Sequence, residues 1–238
     1  MYRKKNILIT GGSKGLGLEI VKEFSNQDDV YVFSRNKRSI KKNVIFLSVD
    51  LSDEKSTLKT LTKLRKKIDK IDLIISCAGS GRLISKDELK KKVLLKYFDT
   101  NFFSFSNLIN SYLKVFRFAK TNIVVISSIS GKRYLKAPIG YSLAKNNLNY
   151  LVKILAKKLA PYKIIINLIT LGNILIKGNN WSKKLKKNPK MIKKYIKENV
   201  PLNNFIYPNN VINLIKYLSY NSKSITGSDF VIDGGQLL

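Results

Sequence analysis

The sequence predicts an α/β fold in which a doubly wound parallel β-sheet carries helices on both faces within a single domain. Three observations support this prediction. Short apolar runs rich in Val and Ile alternate with longer segments of helical periodicity along almost the whole chain. The runs are continuously apolar, as expected for parallel strands that are buried on both faces. At 238 residues, the chain suits one large domain, which we take to span 1–238.

The apolar runs place the strands and the remaining periodic segments place the helices. Strands are predicted at 6–10, 30–34, 44–49, 73–76, 123–127, 164–170 and 229–233. Helices are predicted near 15–26, 53–68, 86–118, 140–159 and 208–220. Right-handed crossovers would join these strand-helix-strand units into one sheet. The least regular segment, about 173–207, follows the sixth strand, and we expect it to cover the carboxyl edge of the sheet as a substrate lid.

The charge of the chain is strongly positive, with 45 basic and 15 acidic residues and a net charge of +30. Of the basic residues, 38 are Lys and only seven are Arg, and the lysines are spread over many segments. Lys, Asn and Ile are the amino acids of A/T-rich codons, so codon bias accounts for their abundance, and no nucleic-acid-binding motif occurs. We therefore expect a solvated basic surface and no nucleic-acid partner. An acidic protein partner or a phosphate-bearing substrate stays open.

Histidine is absent, which excludes Ser-His-Asp triads, Cys-His pairs and His-ligated zinc. Proton transfer near neutral pH would have to use Tyr, Lys, Asp, Glu or a perturbed Cys, and we expect no catalytic metal. The lone Cys77 cannot form an internal disulfide, which favours a reducing compartment, and we expect a cytoplasmic protein. No apolar run approaches the ~20 residues that span a bilayer, and the N-terminus lacks a signal-peptide cleavage pattern.

A glycine-rich turn joins the first predicted strand to the first predicted helix. Gly11, Gly15 and Gly17 lie at a spacing different from the common G-x-G-x-x-G pattern. Small residues at such a turn let the backbone approach a pyrophosphate, and the following helix offers free N–H groups and a positive dipole end. The turn alone is also compatible with a tight connection of no further function. Its position between strand and helix indicates nucleotide binding.

The wider pattern resembles one family. The string Thr10-Gly11-Gly12-Ser13-Lys14-Gly15-Leu16-Gly17 is similar to the T-G-x-x-x-G-x-G motif of the short-chain dehydrogenase/reductase family of classical type. Further matches follow in order and register: Asp50-Leu51, Ala78-Gly79, Asn101, Ser128, Tyr141 with Lys145, Gly172 with Ile174, Ile225-Thr226-Gly227 and Asp233-Gly234-Gly235. The chain departs from the family at Ser76 and Cys77, where N-N-A-G has two Asn, and at Leu171, where P-G-x-I has Pro. The resemblance covers essentially the whole chain and implies a Rossmann-type fold.

The resemblance implies a catalytic set of Asn101, Ser128, Tyr141 and Lys145. Tyr141 and Lys145 are four residues apart in a helical pattern and would project from one face. We expect the Lys145 ammonium to lower the pKa of Tyr141 so that the phenol exchanges a proton with the substrate oxygen. Ser128 would hydrogen-bond that oxygen, Lys145 would also hold the nicotinamide ribose, and Asn101 would hold a water linked to Lys145. In isolation each residue is more typical of a packing, solvated or turn-capping position, and the catalytic interpretation depends on the set as a whole. We interpret Cys77 as a small core residue beside the cofactor, not as a nucleophile.

The cofactor site implied by the resemblance includes residues from five strand ends. They are Gly11, Ser13, Lys14, Gly15, Leu16, Gly17, Ser34, Arg35, Asp50, Leu51, Ala78, Gly79, Asn101, Tyr141, Lys145, Gly172 and Ile174. An acidic residue after the second strand would bind the 2′-hydroxyl of NAD, but Ser34 and Arg35 stand there. Arg35 and Lys14 suit a 2′-phosphate, so we expect NADP(H) to be preferred over NAD(H).

These features predict an NADPH-dependent carbonyl reductase resembling 3-oxoacyl-(acyl-carrier-protein) reductases and related sugar or alcohol dehydrogenases. Two alternatives stay open: a sugar or nucleotide-sugar enzyme of surface-glycan biosynthesis, and a regulator that binds nucleotide without turnover. The resemblance also implies a homotetramer, or a dimer, formed through the helices near 92–118 and 140–159.

The predicted lid contains the single tryptophan, Trp181, and many lysines between Lys183 and Lys197. One interpretation is a polar helix pair packed through Leu185, Met191, Ile192 and Ile196 with solvated lysines. The other is a mobile cover in which Trp181 forms a wall and the lysines receive an acidic carrier or phosphates.

Overall fold

The computed structural model describes residues 3–36, 38–221 and 224–238. One seven-stranded sheet runs through them in the order β3-β2-β1-β4-β5-β6-β7, and every adjacent pair is parallel. The strands are β1 (Asn6–Thr10), β2 (Asp29–Ser34), β3 (Val44–Ser48), β4 (Leu73–Ser76), β5 (Asn122–Ser128), β6 (Ile165–Leu171) and β7 (Asp229–Ile232). Each predicted strand is present, which confirms the predicted doubly wound α/β fold.

Eight α-helices accompany the sheet in the described part of the chain. They are α1 (Gly15–Phe24), α2 (Glu54–Arg65), α3 (Lys91–Phe98), α4 (Ser104–Phe116), α5 (Ile139–Leu159), α6 (Asn180–Lys187), α7 (Pro189–Asn199) and α8 (Pro208–Asn221). A π-helical turn, Asp99–Phe103, joins α3 to α4, and short 3₁₀ turns occupy Ile129–Gly131 and Ala160–Tyr162.

The helix predicted over 86–118 begins later than expected. Glu88 is held away from a helical course because its carboxylate accepts a hydrogen bond of 3.2 Å from the backbone N–H of Ile139, the first residue of α5. The helix starts only at Lys91 and is then interrupted by the π turn. The segment 173–207, which has the least regular pattern, folds into α6 and α7, each started by an asparagine whose side chain accepts a backbone N–H, Asn179 and Asn188.

The core lies in two layers, one on each face of the sheet. Along β1, Leu8 faces the layer that α2, α4 and α5 cover, whereas Ile7 and Ile9 face the layer that α1 and α8 cover. This follows from the alternation of side chains along a strand. Both faces are therefore largely apolar, and the buried polar side chains of the strands, such as Thr10, Asn167 and Thr170, form hydrogen bonds.

The order of the strands positions the site. The chain runs outward from β1 to β2 and β3, returns to β4 beside β1, and continues to β7 on the other side. The reversal leaves a crevice beyond the carboxyl ends of β1 and β4, where ligands bind in open α/β sheets. The glycine-rich turn after β1 and the loop after β4 meet at this crevice.

Candidate active site

The glycine-rich turn packs directly against its neighbours. Gly11 has a φ of +71°, and a Cβ there would lie 2.9 Å from the Cα of Ala78 in the loop after β4. A Cβ on Gly17 would lie 2.5 Å from the carbonyl oxygen of Gly11, so α1 contacts the turn through backbone alone. Gly15 has a φ of +58° and open space around its Cβ position. Only glycine suits these two positions. Gly11 needs the left-handed backbone conformation, and Gly17 has no space for a Cβ.

The first turn of α1 is open to an anion. Its N-cap residue, Lys14, makes no side-chain cap hydrogen bond, and the first turn contains no acidic residue. Uncapped N–H groups and the positive end of the helix dipole suit a phosphate group. Ser13 beside this turn is buried, while Lys14 is exposed. The predicted residues Gly11 to Gly17 thus form a cradle that would fit a pyrophosphate, with Leu16 packed into the core behind it.

A second group of predicted residues lies at the ends of β2 and β3. The Ser34 hydroxyl is buried and bonds the backbone of Asn36, while the Arg35 side chain is exposed. Hydrogen bonds from Ser52 lower the pKa of Asp50, and the positive charge of Arg35 lowers it further. Leu51 is buried and contributes to the core. The Arg35 guanidinium, the Asp50 carboxylate and the apolar Leu51 side chain therefore lie on the same side of the crevice.

Thr10 has a role that its motif did not reveal. Its Oγ1 accepts hydrogen bonds of 3.1 Å from the backbone N–H groups of both Cys77 and Ala78. The hydroxyl therefore ties the carboxyl end of β1 to the start of the loop after β4. This contact fixes Ala78 and Gly79, two predicted cofactor residues, relative to the glycine turn.

Asn101 lies in the π turn between α3 and α4 and is almost completely buried. Its Oδ1 accepts a hydrogen bond of 2.8 Å from Ser80 N–H, and its Nδ2 donates to the carbonyl oxygens of Ser80 and Tyr97. The side chain therefore clamps the loop after β4. The predicted role of holding a water stays a prediction, because these three bonds engage most of the amide.

The Tyr97 hydroxyl holds the same loop further along. It accepts a hydrogen bond of 3.0 Å from Ile84 N–H and donates one of 3.1 Å to the carbonyl oxygen of Arg82. Between the two clamps, a Cβ on Gly81 would lie 3.3 Å from the Tyr141 ring. Sequence reasoning assigned no role to Gly81, and no local pattern could have found it, since the contact joins residues 60 positions apart.

Tyr141 and Lys145 lie one turn apart on α5 and face this loop and the end of β5. Lys145 is buried, and its Nζ donates a hydrogen bond of 3.0 Å to the carbonyl oxygen of Ile126. A Cβ on Gly79 would lie 3.4 Å from that Nζ and 2.9 Å from the Oδ1 of Asn101. Lys145 and Asn101 thus meet at Gly79. The four residues of the predicted catalytic set converge on one end of the sheet.

The charges at this site differ from our expectation. We expected Lys145 to lower the pKa of Tyr141, but burial raises the pKa of Tyr141, and interaction with the Ser128 side chain only partly opposes it. Burial lowers the pKa of Lys145 to about 8, with a smaller opposing contribution from Cys77. The reason is that the crevice walls remove both groups from water, which favours the neutral form of each.

Ser128 is the last residue of β5 and caps the 3₁₀ turn that follows. Its Oγ accepts a hydrogen bond of 3.2 Å from Ser130 N–H, as a turn-capping serine would. The side chain also interacts with Tyr141, and the capping bond leaves the hydroxyl proton available for the Tyr141 oxygen or for the predicted contact to a substrate oxygen.

Cys77 is the predicted small core residue. It packs against the layer beneath α1, and burial raises the pKa of its thiol to about 11. A thiol with that pKa stays protonated at neutral pH and is a poor nucleophile.

The segment after β6 closes the far side of the crevice. Gly172 packs against Asp233, since a Cβ there would lie 2.9 Å from the Asp233 Cα. Ile174 forms an isolated bridge with Ile206, which ties the two ends of the predicted lid together. Asp233 in turn accepts hydrogen bonds from the backbone N–H groups of Gly235 and Leu237. The role of Asp233 in holding Gly172 was not predicted.

Trp181 is packed inside the lid segment. Its ring stacks on Tyr195 at 5.3 Å between centroids and meets Phe205 edge-on at 5.7 Å. Ile192 and Ile196 are buried and Leu185 is half-buried, as the helix-pair interpretation requires, but Met191 is 55% exposed and does not contribute to this packing as predicted. The lysines from Lys183 to Lys197 are exposed. Trp181 therefore has packing partners of its own, and its role as a substrate wall stays a prediction.

Neither a metal-binding cluster nor a membrane-spanning helix occurs among the residues that the structure describes. No three His, Cys, Asp or Glu side chains are grouped so that they could hold a metal ion. No helix combines the length and the apolar character needed to cross a bilayer.

Comparison with known proteins identifies similar chains. The family model for short chain dehydrogenases matches residues 5–187. The 3-oxoacyl-(acyl-carrier-protein) reductase of Buchnera aphidicola is 28% identical over 249 residues, covering 99% of this chain and 98% of the relative.

Two solved structures are similar over almost their full lengths. ElxO with NADP bound is 28% identical with a TM-score of 0.87, covering 99% of both chains. The 4-hydroxyisoleucine dehydrogenase complexed with NADH is 26% identical with a TM-score of 0.85, covering 98% of both chains. Similar folds thus bind either nicotinamide cofactor.

Proposed function

Because the chain belongs to the short-chain dehydrogenase/reductase family, we propose that it uses NADPH to reduce a ketone to a secondary alcohol. An NAD(P)-dependent oxidoreductase that acts on CH–OH or C=O groups is the class that the family establishes. The finer proposal rests on one observation. Tyr141 and Lys145 share a face of α5 and meet Gly81, Gly79 and the end of β5 at the carboxyl edge of the sheet.

The raised pKa of Tyr141 favours the reductive direction. Burial keeps the phenol protonated at neutral pH, so Tyr141 can donate its proton to a carbonyl oxygen as negative charge develops there. Ser128 would donate a hydrogen bond to the same oxygen. When bound, NADPH supplies the hydride. Lys145 would hold the nicotinamide ribose, and Asn101 would fix the loop that borders it.

The preference for NADPH is supported by charge. Arg35 is exposed at the end of β2, where an NAD-binding chain would place an acidic residue, and Lys14 is exposed in the glycine turn. The two cations would share a 2′-phosphate, Arg35 through its planar guanidinium and Lys14 as a point charge. The similarity to ElxO with NADP bound supports this assignment, and the similarity to an NADH complex is the reason to test it.

The substrate we propose is a 3-oxoacyl thioester or a related ketone, small or carried by a protein. The support is similarity to 3-oxoacyl-(acyl-carrier-protein) reductases. The exposed lysines of α6 and α7 would then face an acidic carrier as it approaches the lid. The lone cysteine, Cys77, which is half-buried and has a free thiol, suits the cytoplasm as the site of this reaction.

We also propose that copies of the chain pair through α3, α4 and α5. Several large apolar side chains on these helices and on the π turn between α3 and α4 stay exposed in the single chain: Leu95, Phe103, Leu143, Tyr150 and Ile154. An apolar surface of this kind is typical of an interface between subunits. Pairing on this face is the basis for the proposed tetramer, or dimer.

The experiment follows NADPH oxidation with an acetoacetyl thioester, with simple ketones and with oxidised sugar nucleotides. Tyr141→Phe should retain NADPH binding yet lower kcat by about 10²-fold or more, since it removes the transferable proton. Tyr150→Phe, a 67% exposed tyrosine on the same helix, is the matched control and should keep full activity. NADPH binding without turnover of any compound would instead support a nucleotide-binding regulator. Equal rates in Tyr141→Phe and the wild type would refute the proposed acid.

A further inference from the structure

A buried polar pair joins the carboxyl end of β5 to α5. The Ser127 hydroxyl donates a hydrogen bond to Oδ1 of Asn149, and the two residues are only 4% and 8% exposed. Ser127 comes directly before Ser128, and Asn149 lies one helical turn after Lys145. The pair is therefore next to two residues of the predicted catalytic set.

The surroundings of this pair are mainly apolar. Along β5, Ile123 and Val125 face the core layer beneath α5, and Ser127 continues that face because side chains alternate along a strand. On α5, Leu148 and Val152 pack into the same layer. Replacing both partners of a buried hydrogen bond by apolar groups of similar shape is nearly neutral for stability. Stability alone therefore does not account for a polar pair at this place.

A hydrogen bond adds direction to the contact between β5 and α5. Apolar contact is non-directional and tolerates a small shift of a helix along a strand, whereas the Ser127–Asn149 bond is satisfied in one register. The Lys145 ammonium adds a second directional contact, since it bonds the carbonyl oxygen of Ile126, the residue before Ser127. Two successive residues of β5 are thus fixed to α5.

The 3₁₀ turn beyond Ser128 is fixed to the same helix. Asn146 Nδ2 donates a hydrogen bond of 2.9 Å to the carbonyl oxygen of Gly131, the last residue of the turn. The backbones also meet there, because a Cβ on Gly131 would lie 2.8 Å from the carbonyl carbon of Lys145. Ser128 is therefore held to α5 from both sides, through Ser127 before it and through Gly131 after it.

We propose that Asn149 and Asn146 are positioning residues, which hold Ser128 where its hydroxyl and that of Tyr141 reach the same substrate oxygen. The inference rests on the proposed carbonyl reduction. Both asparagines act through the segment 126–131, which carries Ser128. Catalytic groups must be held within about 0.5 Å of their productive positions, and a misplacement of about 1 Å can lower a rate by about 10²-fold. The two side chains should therefore control kcat more than cofactor affinity.

The main test removes the donor and the acceptor of the buried pair together. Ser127→Ala with Asn149→Leu should change Tm by less than about 4 °C, because neither group of the bond is left buried without the other. For a substrate that the wild type reduces, kcat should fall by about 10- to 100-fold, while the Kd of NADPH stays unchanged. Ser127→Thr keeps the hydroxyl and should recover most of kcat.

Two matched controls separate positioning from stabilisation. Asn122, the first residue of β5, donates a 3.1 Å hydrogen bond to the Ser219 carbonyl oxygen at the other end of the strand, so Asn122→Ala should lower Tm and leave kcat unchanged. Asn146→Ala should lower kcat by about 3- to 10-fold. Asn147→Ala is its control, because Asn147 Nδ2 bonds the carbonyl oxygen of Leu143 within α5, and should leave kcat unchanged.

A crystal structure of the Ser127→Ala, Asn149→Leu variant with NADPH tests the geometry without a substrate. The Ser128 hydroxyl should move relative to that of Tyr141 by about 0.5–1 Å. A wild type that reduces no carbonyl compound would refute the proposed reaction, and this displacement would still report the positioning. An unmoved Ser128, an unchanged kcat in the double variant, or an equal loss of kcat in Asn122→Ala would each overturn the positioning role.

Discussion

The Nζ atom of Lys145 donates a 3.0 Å hydrogen bond to the carbonyl oxygen of Ile126, so a buried amino group fixes the first half of α5 to β5. Burial lowers the pKa of this lysine to about 8. The free energy of unfolding should depend on pH because of this one group.

The unfolded chain holds a proton on Lys145 up to a pKa of ~10.4, whereas the folded chain releases it near 8. Between these values the unfolded state binds more protons, so stability should rise with pH. In the wild type this group should raise the free energy of unfolding by up to ~3 kcal/mol between about pH 8 and 10.5, and Lys145→Met should abolish that rise. Urea unfolding at a series of pH values measures the free energy of unfolding of both proteins. Lys153→Met, an exposed lysine on α5, is the control. Parallel pH profiles for wild type and Lys145→Met would contradict the expected titration.

Arg35 is expected to select the cofactor. Arg35→Ala should weaken NADPH binding by about 10- to 100-fold, because it removes a charge-assisted contact, and should change NADH binding little. Fluorescence titrations of both cofactors give the ratio. Arg65→Ala at the end of α2, which removes a guanidinium that pairs with Asp69, is the control. Equal or tighter binding of NADH by the wild type would show that Arg35 does not select a 2′-phosphate.

Gly17 tests the packing of α1 on the glycine turn. In most helices Gly→Ala stabilises by about 0.5–1 kcal/mol. Here the added Cβ would stand 2.5 Å from the Gly11 carbonyl oxygen, so Gly17→Ala should destabilise by about 1–3 kcal/mol and weaken cofactor binding. Chemical denaturation and cofactor titration report the two effects. Lys22→Ala, at an exposed position of α1, should change stability by less than about 0.5 kcal/mol. A stabilised Gly17→Ala protein would mean that the turn can move away.

Trp181 can report movement of the lid, because it is the only tryptophan. Its emission depends on the stack with Tyr195 and on the Lys184 ammonium 5.1 Å from the ring. Adding a turned-over substrate to the cofactor complex should quench or shift this emission as the lid closes. Trp181→Phe should remove the signal. If neither an acetoacetyl thioester nor an oxidised sugar nucleotide alters the emission or is turned over, the proposed role of Trp181 in a closing lid is wrong, and so are both proposed substrate classes.

The exposed apolar face of α5 should control assembly. Tyr150→Glu places a charge in the proposed interface and should convert the proposed tetramer to smaller species, measured by light scattering at micromolar concentration. Lys63→Glu on α2 changes charge outside that face and should leave the mass unchanged. A wild-type monomer at the same concentration would rule out the proposed pairing.

The strands and most of the helices between them were predictable because parallel strands carry continuous apolar runs and the connecting helices carry a different period. The two-layer core follows from the same alternation, as with Leu8 and Ile9 on opposite faces. The start of α3 was not predictable, because it depends on the distant bond between Glu88 and the first residue of α5.

The sequence motif predicted which residues belong to the candidate site, and the structure gives the contacts between them. Spacing alone indicated that Tyr141 and Lys145 share a helix face. Which loops meet them depends on contacts between distant segments, such as Gly81 against the Tyr141 ring. The pKa of Tyr141 was predicted with the wrong sign, because a sequence gives the charge of a neighbour but not the degree of burial that opposes it.

The π turn Asp99–Phe103 limits how this chain tolerates deletions and insertions. A π turn contains one more residue than the α-helical path it replaces. Removing one residue there would restore a regular α-helical path and leave the residues beyond it facing as before, but it would change the direction in which the residues of the turn itself face. Leu108 and Tyr112 could then keep facing the core, whereas Asn101 would lose the position from which it bonds the loop after β4. The length of this one turn is therefore expected to be fixed in any active variant, even where its amino acids change.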